Sequence, residues 1–221
     1  MKKRPGAFLF DLNGTIIDDM AYHSEAWYNI LTNEIGAKLT KEEVDHNMYG
    51  KNSEVLIRLL GPSRFTEEEM EFWSIEKEKR YQAAYAEKMQ PIKGLIEFLD
   101  AAWNQNIPMA IGSAAIPFNI QFILKGLALE KYFPVIVSAD DVTHSKPDPE
   151  TFTLGADQLG IPYEDCIVFE DAPKGVEAAA NAGMKAVVLT TMHPKEEFSQ
   201  YNNILGFIED YTDPLIASLL K

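Results

Sequence analysis

The sequence predicts an α/β fold, a doubly wound parallel-sheet core with an inserted helical domain. Three observations predict it. From Pro91 onward, short apolar runs alternate with amphipathic helical stretches, and such alternation implies a parallel sheet covered on both faces. One more apolar run, Ala7-Phe8-Leu9-Phe10, stands alone near the start. Between them, from about Asp18 to Met89, the periodicity is helical with no strand pattern, so this segment reads as an insertion. The expected boundaries are 1–16 plus 91–221 for the α/β core and 17–90 for the helical domain.

The first run ends in Asp11-Leu12-Asn13-Gly14-Thr15. A short apolar run closed by Asn-Gly reads as a buried strand and a turn. Asp11 then stands at the edge where open parallel sheets bind ligands. A carboxylate there is open to three roles: nucleophile, metal ligand or helix cap. Next, Tyr22, Ala26, Trp27, Ile30, Leu31 and Ile35 recur at helical steps until Gly36 stops them. Thr40 with Glu43, and Thr66 with Glu69, are capping boxes for two further helices, the second running to about Lys88. Between them Tyr49 to Ser53 reads as a turn and Val55 to Leu60 as a helix. In the core, helices are expected at 94–103, 117–125, 148–159, 173–181 and 211–220. Strands are expected at 108–112, 135–138, 166–169, 185–189 and, more weakly, 204–208.

The chain has 221 residues, 46% hydrophobic and 24% charged, with a formal net charge of −14. That composition is ordinary for a globular protein. The charge disfavours nucleic acid and anionic membrane as partners. An anionic substrate would need a bound cation or local lysines. A single cysteine, Cys166, builds no intramolecular disulfide, which fits a reducing cytoplasm. The basic start Met1-Lys2-Lys3-Arg4 leads into too short an apolar run for a signal peptide, and no later run is long enough to span a membrane. A monomer is the default expectation.

Four polar groups fall after successive strands: Asp11 with Asn13, then Ser113, then Lys146, then Glu170 with Asp171. Singly, each reads as a cap, a solvated loop lysine or a helix start. Together they would share one sheet edge. Three carboxylates with a backbone oxygen suit Mg²⁺. Ser113 and Lys146 would hold phosphoryl oxygens, and Asp11 would attack phosphorus to form an aspartyl-phosphate.

Asp-Leu-Asn-Gly-Thr, Gly112-Ser113, Ser-Lys-Pro-Asp-Pro and Phe-Glu-Asp-Ala-Pro-Lys-Gly-Val-Glu-Ala-Ala resemble the four ordered motifs of the haloacid dehalogenase superfamily. The insertion after the first motif resembles the cap of its β-phosphoglucomutase-like branch. The resemblance implies Asp11 as nucleophile and Mg²⁺ on Asp11, the carbonyl of Asn13, Glu170 and Asp171. It implies phosphate binding by Ser113, the Ala114 N–H and Lys146, with a cap that closes over the site and carries specificity. In the cap, His23, Trp27 and Lys77 resemble substrate-handling residues of that branch. His23 also reads as an exposed helix residue, and Trp27 as simple cap core. The turn at Gly50-Lys51-Asn52-Ser53 lies where the branch places its specificity loop. The arginine that grips a second phosphate in the mutases is absent near Ser53, and Lys51 is not a bidentate fork.

Asn13 departs from the family pattern, which usually has Asp there as general acid and base. An amide can neither protonate a leaving alcohol nor activate water. Three origins stay open: an inactivating substitution, a naturally weak or silent member, or deamidation of Asn13-Gly14 to Asp. The expected function is Mg²⁺-dependent phosphoryl transfer, most simply hydrolysis of a small sugar phosphate. The alternatives are a β-phosphoglucomutase and a silent protein that binds Mg²⁺ and a phosphorylated metabolite.

Overall fold

The computed structural model describes residues 4–221; the basic residues Met1, Lys2 and Lys3 lie outside the described residues. Six strands form one sheet: β1 Ala7–Phe10, β2 Met109–Gly112, β3 Val135–Val137, β4 Cys166–Glu170, β5 Lys185–Leu189 and β6 Ile204–Ile208. Their order is β3-β2-β1-β4-β5-β6, and every neighbouring pair is parallel. The doubly wound parallel sheet is therefore as the alternation predicted. Successive strands step outward from β1 in one direction and, from β4, in the other. The β1/β4 pair is thus the switch point, the place where open α/β sheets bind their ligands, outside the carboxyl ends of the strands. Asp11 N donates to Phe169 O at 2.9 Å, carrying the β1/β4 ladder one residue past β1.

The chain divides into two compact units. One comprises Gln90–Lys221 together with the strand-bearing segment up to Asp18; the other is Asp19–Met89. The second is helical: α1 Met20–Asn29, α2 Lys41–Asn47, α3 Asn52–Leu60 and α4 Glu67–Tyr85. Both expected capping boxes form, at Thr40/Glu43 and Thr66/Glu69. The first helix differs from its expected span. It is regular only to Asn29 and continues as one wide turn, Ile30–Glu34, in which Ile35 N donates to Ile30 O at 3.0 Å. Ile30 and Leu31, at the start of this wide turn, are both buried. The expected turn at 49–53 is also shorter, because α3 already begins at Asn52. Trp27, Ile30, Leu31, Val44, Val55 and Leu56 form this unit's core.

In the α/β unit the helices are α5 Leu95–Asn104, α6 Pro117–Gly126, α7 Glu150–Leu159, α8 Pro173–Asn181 and α9 Pro214–Leu219. The last is shorter than expected, since Asp213 caps it by accepting from Leu215 N at 2.8 Å. Alternation along β1 splits the core. Ala7 and Leu9 face α7 and α8, among Ala110, Phe152, Val168 and Val176. Phe8 and Phe10 face the other side, where Phe98, Phe133 and Phe169 meet them with ring centroids 4.7–6.2 Å apart, and Tyr211 packs on Phe98 and Phe169 at 5.7 Å. Aromatic pairs at these spacings contribute about 0.5–1.5 kcal/mol each beyond burial. The strand that carries Asp11 is therefore clamped from both faces.

Candidate active site in the α/β unit

Asp11, Lys146 and Glu170 meet directly. Lys146 Nζ donates to Asp11 Oδ1 at 2.6 Å, to Glu170 Oε1 at 2.8 Å and to Gly112 O at 3.0 Å. Its three protons are thereby used, and the ammonium lies 4.5 Å from the Phe152 ring centre. Glu170 is fixed at its other oxygen by Asp171 N at 2.8 Å and Ala172 N at 2.7 Å, the backbone amides just before α8. Ser113 is buried; its N–H donates to Val137 O at 2.9 Å and its hydroxyl accepts from Ala115 N at 3.1 Å. Ala114 follows it, half-buried, at the mouth of the β2–α6 connection.

The electrostatics are unbalanced. Asp11, Glu170 and Asp171 are all buried, against one ammonium. Burial pushes the Asp11 carboxyl up to about 7, with Lys146 opposing and Glu170 adding repulsion. Burial, then Glu170, then Asp11 raise Asp171 well above the usual carboxylate range. Burial works against the Lys146 ammonium, but Asp11 and Glu170 outweigh it and hold its affinity for the proton above the ordinary. A cluster of oxygen donors short of positive charge is the chemistry of a hard divalent cation site. Asp11, Glu170 and Asp171, with the carbonyl of Asn13 in the adjoining loop, are the oxygen donors here that could hold such an ion.

Two glycines make room for this cluster. A Cβ on Gly175 would overlap the Glu170 carboxyl, and a Cβ on Gly14, at φ +76°, would overlap that of Asp171. The loop after β1 is tied from the C-terminal part of the chain: Thr191 Oγ1 donates to Gly14 O at 2.7 Å and Tyr211 Oη to Thr15 O at 3.1 Å. Asn13 lies in this loop and bridges to Ile17. Asn181 Nδ2 donates to Pro147 O at 2.9 Å, holding the loop that carries Lys146. Sequence reasoning did not name Gly175, Thr191, Tyr211 or Asn181. Only Gly175 left a signal, as a helix-interior glycine inside the fourth motif.

The helical unit holds a second polar cluster. His23 is buried, not the exposed helix residue that its position also allowed. Its Nε2 lies 3.2 Å from Asp19 Oδ2 and its Nδ1 2.7 Å from Lys77 Nζ. Lys77 donates to Glu78 Oε1 at 2.9 Å, and Asn52 Nδ2 donates to the same oxygen at 2.8 Å. Tyr81 Oη donates to Asp19 and its ring stacks on His23 at 3.7 Å. Burial works to raise the Glu78 carboxyl, but Lys77, His23 and Asn52 together hold it below the usual range. Asp19, Glu78 and Tyr81 were not singled out in the sequence, and Asn52 was named only within the turn at 50–53, because their connection is tertiary. Trp27 is 1% exposed within the unit's core, with Lys77 Nζ 5.8 Å from its ring centre. Lys51 caps α3, its N–H donating to Glu54 at 2.9 Å.

A doubly wound sheet with an acidic, lysine-bridged cluster at its switch point defines an α/β enzyme. Comparison with known proteins narrows the class. The sequence pattern of haloacid dehalogenase-like hydrolases matches residues 8–189. The chain is 30% identical over 196 residues to fructose-1-phosphate phosphatase YqaB of Escherichia coli, covering 85% of this chain and 97% of that protein. It is 31% identical over 189 residues to β-phosphoglucomutase of Bacillus subtilis, covering 82% and 81%. The crystal structure of β-phosphoglucomutase from Clostridium difficile is similar over 98% of this chain and 97% of that one, with a TM-score of 0.83 and 26% identity. The chain belongs to the haloacid dehalogenase-like hydrolase family, whose members named here are phosphatases and phosphomutases.

Proposed function

We propose that the protein transfers a phosphoryl group from a small sugar phosphate to water, through an aspartyl-phosphate on Asp11 with Mg²⁺ bound beside it. The observation that carries this reading is the Lys146 bridge between Asp11 and Glu170, in a cluster short of positive charge. Mg²⁺ on Asp11, Glu170, Asp171 and the Asn13 carbonyl would supply the charge that lets an anionic carboxylate approach an anionic phosphoryl group. An Asp11 oxygen attacks phosphorus, and the bond to the leaving alcohol oxygen breaks as the P–O bond to Asp11 forms. Lys146, the Ser113 hydroxyl and the Ala114 N–H hold the equatorial oxygens. Water then attacks phosphorus, releasing phosphate and restoring Asp11. The leaving oxygen needs a proton and the water must lose one. Asn13 can do neither, so both steps are slow in this sequence. The similarity to a fructose-1-phosphate phosphatase supports a sugar phosphate as substrate.

Asn13 also favours a second reading, a protein that binds Mg²⁺ and a phosphorylated metabolite without turnover. Phosphate release from a panel of sugar phosphates with Mg²⁺, for this protein and Asn13→Asp side by side, separates the two. Turnover by the Asp form with near silence here supports the phosphatase. Silence in both, with ligand-dependent thermal stabilisation, supports the binding protein.

A further inference from the structure

We propose a second cation site, for a zinc-class divalent ion, at His144, Asp148 and Glu150. One ligand atom from each side chain lies within 4.8 Å of the others. His144 Nδ1 and Glu150 Oε2 are 3.4 Å apart. An ion with tetrahedral bonds of about 2.0–2.1 Å sets neighbouring donors about 3.4 Å apart. That pair already has the spacing, and only Asp148 must close in.

The backbone aims the two carboxylates. Thr143 N donates to Glu150 at 3.0 Å and His144 N at 2.8 Å. Glu150 N donates to Asp148 Oδ1 at 3.0 Å. Among the described residues, neither carboxylate is paired with a lysine or an arginine; Glu150 faces His144 Nδ1 at 3.4 Å, and Asp148 lies within 4.8 Å of both. Two negative charges thus converge on one imidazole whose side chain is 69% exposed and open to an ion from solvent.

The donor set decides which ion. Imidazole suits zinc and its first-row neighbours, whereas Mg²⁺ takes oxygen ligands and keeps its waters. The cluster around Asp11 offers only oxygen. The two centres therefore sort cations by softness, and the loop between the ligands of the new site, residues 144–150, is the one that carries Lys146.

The test is calorimetric titration of zinc chloride into the protein with Mg²⁺ in large excess. One equivalent of Zn²⁺ binds, and His144→Ala weakens it by about 100-fold or more, since even an outer partner of a metal ligand carries 10–100-fold. Binding is unchanged in His193→Ala, whose ring faces Glu197 at 2.9 Å, and in Asp171→Asn. Absence of binding in the parent protein, or equal binding in His144→Ala, overturns the proposal. So does loss of zinc binding in Asp171→Asn, which moves the ion to the carboxylate cluster. The readout is binding alone, so its failure is independent of the phosphatase reading.

Discussion

At residue 13 one atom decides the chemistry. Asn13→Asp supplies a group able to give and take a proton, and turnover of a sugar phosphate should rise about 10²–10⁴-fold; steady-state phosphate release with an intact-mass check for deamidation measures it. Gly175 is a matter of space. Its Cβ would overlap the Glu170 carboxyl, so Gly175→Ala displaces a side chain that Lys146, Asp171 N and Ala172 N all hold. The expected loss is about 1–3 kcal/mol, or roughly 2–12 °C in Tm for a domain of this size, together with weaker Mg²⁺ binding; scanning calorimetry with and without Mg²⁺ reads both. An unchanged Tm and Mg²⁺ response would show that Glu170 has somewhere else to go. Cys166 is fully buried, and its thiol is pushed up to about 12 by burial, then by Asp165 and Glu164. It should stay unlabelled by a thiol reagent at pH 8 until denaturant is added.

At the scale of elements, each unit hides a polar cluster that its own helices or strands must support. In the helical unit the Glu78 carboxyl is held low, against burial, by Lys77, His23 and Asn52. A lowered folded value means that Glu78 contributes stability above its unfolded value, and that this is lost as pH falls through the folded one. The destabilisation of Glu78→Gln should therefore be full near pH 7 and shrink toward zero in acid, below the ordinary carboxylate range. Denaturant melts at both pH values test the sign; a penalty that grows in acid would contradict it. The same scale shows what the sequence made legible. Strands announced themselves because a two-sided parallel sheet needs continuous apolar runs, as in Ala7–Phe10 and Lys185–Leu189. The order of those strands, the wide turn at Ile30–Glu34 and the burial of His23 were not legible. Each depends on which distant residue lies opposite, and no local pattern carries that. Asp11, Ser113, Lys146, Glu170 and Asp171 could be named because each follows its strand closely or sits in a distinctive loop. Thr191 and Tyr211, which tie the loop after β1 from far along the chain, could not.

For the whole molecule, the proposed Mg²⁺ site among the buried carboxylates predicts that metal raises stability. With Mg²⁺ at about 100 times its dissociation constant, mass action contributes about 2.7 kcal/mol. That corresponds to a rise of roughly 5–10 °C in Tm, reversed by a chelator. Asp171→Asn should abolish the Mg²⁺ response while raising the Tm of the metal-free protein, because it removes one of three crowded carboxylates. The central claim, that Asp11 is the nucleophile, is tested most directly with an aryl phosphate such as p-nitrophenyl phosphate, whose leaving group needs no proton. Attack by Asp11 then proceeds despite Asn13, while hydrolysis of the intermediate still lacks its base. Acid-quenched mass spectrometry after mixing with Mg²⁺ should find one phosphoryl group on the peptide containing Asp11, with a burst of nitrophenol matching the enzyme concentration. Nitrophenol release without any phosphoryl group on Asp11, or with the group on another residue, would contradict the account.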